Sequence, residues 1–201
     1  MRAIVTTAAG DVRVMKVQER PDPKPRRDQV LVRVKAAGLN FADILARQGL
    51  YPDGPPKPCV MGYEVSGIVE AVGEGVDAKM IGDPVIAMTR FGGQAELVAV
   101  PAAQTSPKPE NFSFEEAAAI PVNYLTAWAL LVTMGGLKKE EAVLIHNAGG
   151  GVGLAALDIA KHIGARTFGT ASSGKHEFLR ARGLDHPIDY REEDGCPRCC
   201  L

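Results

Sequence analysis

With 201 residues, 46% of them apolar and 23% charged, the chain can bury one large core or two smaller ones and has the balance of a soluble globular protein. A formal net charge of −1 excludes a general polyanion-binding surface, since neutralising phosphates takes clustered Lys and Arg, and no nucleic-acid partner is expected. No apolar run approaches the roughly 18 residues of a membrane span, and residues 1–10 lack the apolar stretch of a signal peptide, which implies a cytoplasmic address by default.

The first half is strand-rich. Residues 2–6 and 11–18 are short β-branched runs split by Ala8-Ala9-Gly10, as in a hairpin. Pro21, Pro23 and Pro25 make the next segment a loop, because each proline removes a ladder donor. Residues 29–36 alternate Val30, Val32 and Val34 with Leu31, Arg33 and Lys35, the pattern of a partly buried strand. Residues 40–48 place Phe41, Ile44 and Leu45 at helical spacing. Further strands are expected over 65–72, 84–88 and 95–100, with turns at Gly73-Glu74-Gly75 and Gly92-Gly93. Short strands at this spacing predict a compact barrel or sandwich.

The texture changes near Pro107-Lys108-Pro109. Residues 114–119 and 123–134 read as helices, the first opened by Ser113 with Glu116 three residues on, a capping-box pattern. Beyond Gly135-Gly136 come a strand (142–146), a glycine turn (148–153), a helix (154–163), a second strand (165–170), a short helix (178–182) and a third strand (187–190). That alternation builds a parallel sheet.

The glycine turn carries the clearest chemistry. A dinucleotide fingerprint needs a tight turn, close backbone approach to a pyrophosphate, and close packing of helix on strand. Ala148, Gly150 and Gly153 fill those three places, between an apolar strand and a helix whose first amides would face phosphate. A plain structural turn is the alternative. About twenty residues on, where an acidic side chain would select NAD, stands Thr170-Ala171-Ser172-Ser173-Gly174-Lys175-His176. Hydroxyls and a cation suit the 2′-phosphate of NADPH, and the missing acid favours that reading over the alternative, in which Lys175 is a solvated surface lysine.

Ala37-Gly38-Leu39-Asn40-Phe41-Ala42-Asp43, Gly62-Tyr63-Glu64-Val65-Ser66-Gly67, Gly92-Gly93-Gln94-Ala95-Glu96, Asn123-Tyr124-Leu125-Thr126-Ala127 and the glycine turn, in this order and spacing, resemble the medium-chain dehydrogenase/reductase superfamily. The likeness is to its quinone oxidoreductase branch, which includes VAT-1-like proteins. It implies an α/β plus β chain: a GroES-like β-rich substrate domain over 1–120, then a partial Rossmann doubly wound parallel sheet binding NADPH over 121–193, then an irregular tail over 194–201. Where alcohol dehydrogenase relatives hold catalytic zinc with Cys and His, this sequence has Asn40 and Tyr63, and their four-cysteine lobe is absent, so no metal is expected.

The resemblance therefore implies zinc-independent hydride transfer from NADPH to a quinone or an α,β-unsaturated carbonyl, with the developing oxyanion held by fixed donors. It places Asn40 and Thr126 at the nicotinamide end. Tyr51, Tyr63 and Tyr124 become candidates for lining the substrate site or donating a hydrogen bond. Gly150, Gly151 and Val152 resemble the pyrophosphate loop, and Ser172, Lys175 and Tyr190 the 2′-phosphate site. Asn40 and Asp43 also read as a helix cap and first-turn acid, and Tyr51 as a loop aromatic. Glu64 reads first as a structural carboxylate and second as a general base. Neither His146 nor His162 has a partner that marks it catalytic.

Cys196, Cys199 and Cys200 crowd the tail, where zinc spacing, a prenylation box and a disulfide framework each fail. The sequence leaves the family pattern there and supplies about three of six expected strands, so a C-terminal truncation is expected. A non-catalytic remnant that binds at most a nucleotide or a partner is the alternative function. Full-length relatives are expected to be homodimeric; the state of this chain is left open.

Overall fold

The computed structural model describes residues 1–192, so the Cys-rich tail and its three cysteines lie outside the described residues. The chain divides into two compact units, the first Met1–Val122 and the second starting at Asn123.

In the first unit, β1 (Arg2–Thr6) and β2 (Met15–Glu19) form the expected antiparallel hairpin, with Arg2 opposite Glu19 and Thr6 opposite Met15. The strand expected over 11–18 starts late. The Asp11 carboxylate accepts from Arg13 N–H at 2.9 Å and winds Val12–Val14 into a 3-10 turn, a local bond that competes with the ladder. On its other edge β1 pairs with β4 (Cys59–Val60).

A five-stranded antiparallel sheet runs β7-β3-β5-β6-β8, from β3 (Gln29–Ala37), β5 (Glu64–Val72), β6 (Pro84–Met88), β7 (Leu97–Pro101) and β8 (Thr105–Pro107). Its alternating residues Val30, Val32, Val65, Val69, Val85, Val98 and Val100 make the core. Each such valine contributes on the order of 1.5–3 kcal/mol by leaving water. Helix α1 (Phe41–Gln48) follows β3 directly, and α2 (Phe114–Ala118) packs on β3 and β5. The Ser113–Glu116 capping box is present, with Ser113 N–H donating to Glu116 Oε2 at 2.8 Å and Glu116 N–H to Ser113 Oγ at 3.1 Å. These elements make a β-rich first domain.

Helix α3 (Pro121–Trp128) leads into a π-helical segment, Ala129–Met134, where a single continuous helix is expected. Its exit is marked by the bond from Gly135 N–H to the Leu130 carbonyl, one residue longer than an α-helical step. The second unit is a three-stranded parallel sheet in the order β11-β10-β9, from β9 (Ala142–Ile145), β10 (Arg166–Ala171) and β11 (His186–Asp189). Helix α4 (Gly151–Ile163) connects β9 to β10, and α5 (His176–Ala181) lies between β10 and β11. Ala155, Leu157, Ile159, Leu179 and Leu184 are buried with Ile145 in its core. Strand, helix, strand, helix, strand in a parallel sheet is part of a Rossmann fold. No helix among the described residues is long and apolar enough to cross a membrane.

Candidate functional site

In the first unit the chemistry collects where β3 hands over to α1 and where β5 begins. Asn40 is the N-cap of α1. Its backbone N–H donates to Asp43 Oδ2 at 2.9 Å, while its side-chain Nδ2 turns inward and donates to Glu64 Oε1 at 2.8 Å. The other Glu64 oxygen accepts the Val122 N–H at 2.8 Å. Glu64 is 1% exposed and Asp43 4%. Burial pushes the Glu64 carboxyl above its ordinary value, the bonds from Val122 and Asn40 oppose this, and nearby Asp43 adds to the rise. Burial also raises Asp43, against the bonds from the Asn40 and Gly62 amides.

The segment that delivers Tyr63 is pinned on both sides. Gly62 N–H donates to Asp43 Oδ1 at 3.0 Å, and Thr89 Oγ1 donates to the Gly62 carbonyl at 2.6 Å. Gly62 has φ +101, and a Cβ there would meet Gln94 N at 2.7 Å, so only glycine fits this corner. Tyr63 then packs edge-on against Tyr51, centroids 6.2 Å apart, and against Phe91 at 5.5 Å. The Tyr63 hydroxyl is buried and has no hydrogen-bond partner among the described residues. Burial, then Tyr51 and Asp43 nearby, push its pKa up to about 12, which keeps it a protonated donor.

The second unit holds the glycine turn. Asn147, at φ +52, enters it with its N–H donating to Thr170 Oγ1 at 3.1 Å. A Cβ on Gly150 would lie 2.6 Å from Asn147 Nδ2, and one on Gly151 would lie 2.6 Å from Asn123 Oδ1. A Cβ on Gly153 would strike the Asn147 carbonyl oxygen, so this glycine sets how closely α4 packs on the turn. Gly150 is the N-cap of α4 and brings no side-chain hydrogen bond, so no side chain of its own covers the first-turn amides of Gly151 and Val152.

Lys175 reaches back over this turn, its Nζ 3.5 Å from the Gly149 carbonyl. Its backbone N–H closes on the Ser172 carbonyl at 2.9 Å, so Ser172 and Lys175 share one tight turn after β10. Tyr190 follows β11, 58% exposed. Asp189 ties that strand end to the same turn, accepting Ser173 N–H at 2.9 Å and Arg191 N–H at 2.9 Å. The Arg191 amide is the main cause holding the Asp189 carboxyl below its ordinary value.

Elsewhere in this unit, Tyr124 donates its hydroxyl to Asp158 Oδ2 at 2.6 Å, and Arg182 Nη2 donates to the same carboxylate at 2.9 Å. Thr126 is exposed on α3.

Asn40, Tyr51 and Tyr63 are thus gathered in one unit, and Gly150, Gly151, Val152, Ser172, Lys175 and Tyr190 around one sheet end in the other. Sequence reasoning did not single out Phe91, Thr89, Asp189 or Arg191. Phe91 beside Gly92-Gly93 was the available signal, an aromatic next to a turn. Asp189 and Arg191 flank Tyr190 and take meaning only from the fold.

Residues 26–110 match the alcohol dehydrogenase GroES-like domain family. The chain is 48% identical over 197 residues to the synaptic vesicle membrane protein VAT-1 homolog of Rattus norvegicus, covering 96% of this chain and 49% of that protein. Among solved structures, the quinone oxidoreductase from Coxiella burnetii superposes with a TM-score of 0.90 at 36% identity, over 96% of this chain and 63% of that one. A mycobacterial protein complexed with NADPH superposes at 0.88, also with 36% identity, over 96% of this chain and 60% of its own. The chain spans about half the length of the curated relatives it matches.

Proposed function

Because the chain belongs to the medium-chain dehydrogenase/reductase superfamily, in its quinone oxidoreductase branch, we propose that it is an NADPH-dependent, zinc-independent reductase of quinones or α,β-unsaturated carbonyls. The observation that carries this reading is the Tyr63 hydroxyl, a buried donor with no acceptor among the described residues, flanked by Tyr51 and Phe91. A buried hydroxyl normally finds a partner. A flat conjugated carbonyl supplies both the missing acceptor and a surface for the two neighbouring rings.

The glycine turn fits a pyrophosphate. Glycine at 150 and 151 lets the Asn147 and Asn123 side chains close on the turn, and the first-turn amides of α4 carry the partial positive charge of a helix N-terminus. Lys175, on the turn it shares with Ser172, puts an ammonium over the same loop. That favours a 2′-phosphate over a bare ribose hydroxyl, which an acidic residue would select. A relative solved with NADPH supports the same choice. When bound, the dihydronicotinamide supplies a hydride.

The chain's own residues do the rest. Tyr63 stays protonated with a pKa of about 12 and donates to the carbonyl oxygen as negative charge develops there. Asn40 has its amide nitrogen fixed by Glu64. Neither an amide whose nitrogen is committed to a carboxylate nor a protonated phenol is a zinc ligand, so stabilisation of the oxyanion falls to hydrogen bonding.

Fluorescence titration with NADPH and NADH tests the cofactor half, and NADPH oxidation in the presence of 1,4-benzoquinone or cyclohexenone tests the chemistry. NADPH binding at least about tenfold tighter than NADH is expected, that factor being roughly one charge-assisted hydrogen bond. Absence of binding by either nucleotide would overturn the reading.

A further inference from the structure

Thr6 Oγ1 and Gln94 Oε1 are buried oxygens with no hydrogen-bond partner among the described residues, and both residues line one pocket of about 230 Å3 in the first unit. Its walls come from β1, the 3-10 turn, the start of β2 and α1. Val12 and Leu39, 69% and 71% exposed, form its mouth, while Thr6 and Met61 are wholly buried at its floor. Met15 and Ile44 add apolar wall. Buried polar groups are normally paired, so two unpaired oxygens on one pocket call for an explanation.

Their chemistry defines what would pair them. A threonine hydroxyl donates and accepts, whereas an amide oxygen only accepts. A ligand hydroxyl meets both at once, its oxygen accepting from Thr6 and its hydrogen going to Gln94. The match survives a turn of the Gln94 amide, because the same hydroxyl oxygen can accept from Nε2. A hydrocarbon or an ether leaves Gln94 Oε1 unpaired.

Charge and size narrow the ligand further. Asp43 and Arg47 also line the pocket, and each is engaged with the backbone. The Asp43 oxygens accept the Gly62 and Asn40 amides, and Arg47 Nη1 donates to the Gly10 carbonyl at 3.0 Å. With one charge of each sign, the pocket favours neither an anion nor a cation. A cavity of about 150 Å3 takes benzene, so 230 Å3 holds one ring with a short hydroxyl-bearing arm. The thioethers of Met15 and Met61 suit an aromatic ring.

We propose that this pocket is a binding site for a small neutral aromatic alcohol, its hydroxyl held between Thr6 and Gln94 and its ring against Met15, Ile44 and Met61. Tyr51, Tyr63 and Phe91 are not among its lining residues, and the site does not depend on nucleotide binding.

Benzyl alcohol and toluene are the probes, since they share a ring and differ by the hydroxyl. Labelling the full chain with 13C-methyl methionine supplies the readout, because of its six methionines Met15 and Met61 line the pocket. Saturable shifts of these two methyl resonances are expected, with those of Met1, Met80, Met88 and Met134 unmoved. Benzyl alcohol is expected to bind at least about tenfold tighter than toluene. Thr6→Val keeps the shape and removes an unpaired hydroxyl. It is expected to hold or raise the urea midpoint while narrowing the preference to within about threefold. The comparison on the natural chain decides the matter even if the variant misfolds. Equal affinity for the two probes would overturn the proposal, as would an undiminished preference in a folded Thr6→Val chain. Shifts confined to other methionines would overturn it too, and so would no shifts at all, which would leave the pocket to ordered water.

Discussion

A methyl group on Gly38 would overlap the carboxylate of Glu64, which is held by a donor on each oxygen. Gly38 also donates its N–H to the Glu64 carbonyl at 3.1 Å, so the two backbones are fixed in register. Neither partner can retreat without losing bonds inside a dry core. Gly38→Ala is expected to cost about 2–3 kcal/mol, the scale of overpacking at a rigid site. A lowered urea midpoint with an unchanged slope would show it. A midpoint within error of the natural chain would mean that the carboxylate moves freely.

Burial raises the protonation equilibria of Glu64 and Asp43 in the folded chain. An unfolded chain then gives up these protons first as pH rises. Their contribution to stability is greatest below the ordinary carboxylate value, about pH 4, and declines as pH climbs towards the raised folded value. Glu64→Gln removes the Glu64 share of this dependence. The carboxylates held below their ordinary values, such as Asp185 and Asp189, remain in both chains and cancel in the comparison. Melting followed by circular dichroism should show the natural chain losing ground against Glu64→Gln as pH rises above about 4. A constant difference across that range would show that Glu64 titrates as it does in water.

The fold is legible in the sequence where the code is local. Val30, Val32 and Val34 alternate because one face of β3 is core, and the Ser113–Glu116 spacing marks its helix start with no help from the rest of the chain. The glycine turn is read from spacing for the same reason. What sequence does not show is held by long-range partners. β4 is two residues long and exists because Val60 pairs with Val5, and β8 because it pairs with β6. The inward turn of Asn40 depends on a carboxylate 24 residues away and the burial of Glu64 on an amide 58 residues away. Spacing offers no signal for either, and the cap reading of Asn40 captures only its backbone half.

Lys175 lies over the glycine turn, where its ammonium makes a long contact with the Gly149 carbonyl at 3.5 Å. Removing it should cost the fold little, since it is exposed. Lys175→Ala is expected to weaken NADPH binding about tenfold and leave NADH unchanged, because only the former carries a 2′-phosphate. Lys175→Glu should go further and favour NADH. Equal losses for the two nucleotides in a titration would place Lys175 at the pyrophosphate instead.

Two tyrosines in the candidate set make opposite predictions, because one hydroxyl is partnered and the other is not. The Tyr124 hydroxyl donates to Asp158 at 2.6 Å beside Arg182, so Tyr124→Phe strips a charge-assisted bond and should lower stability by about 1–2 kcal/mol. Tyr63→Phe removes a buried hydroxyl with no partner among the described residues, and the change should be neutral or stabilising by up to about 1 kcal/mol. The activity order reverses. If Tyr63 donates to the developing oxyanion, Tyr63→Phe lowers kcat for quinone or enone reduction by about 10²-fold with little change in NADPH affinity. Paired measurements of unfolding midpoint and kcat on the two variants separate these roles. A Tyr63→Phe chain that loses stability and keeps its turnover would mean that the hydroxyl serves the fold and that some other donor faces the carbonyl.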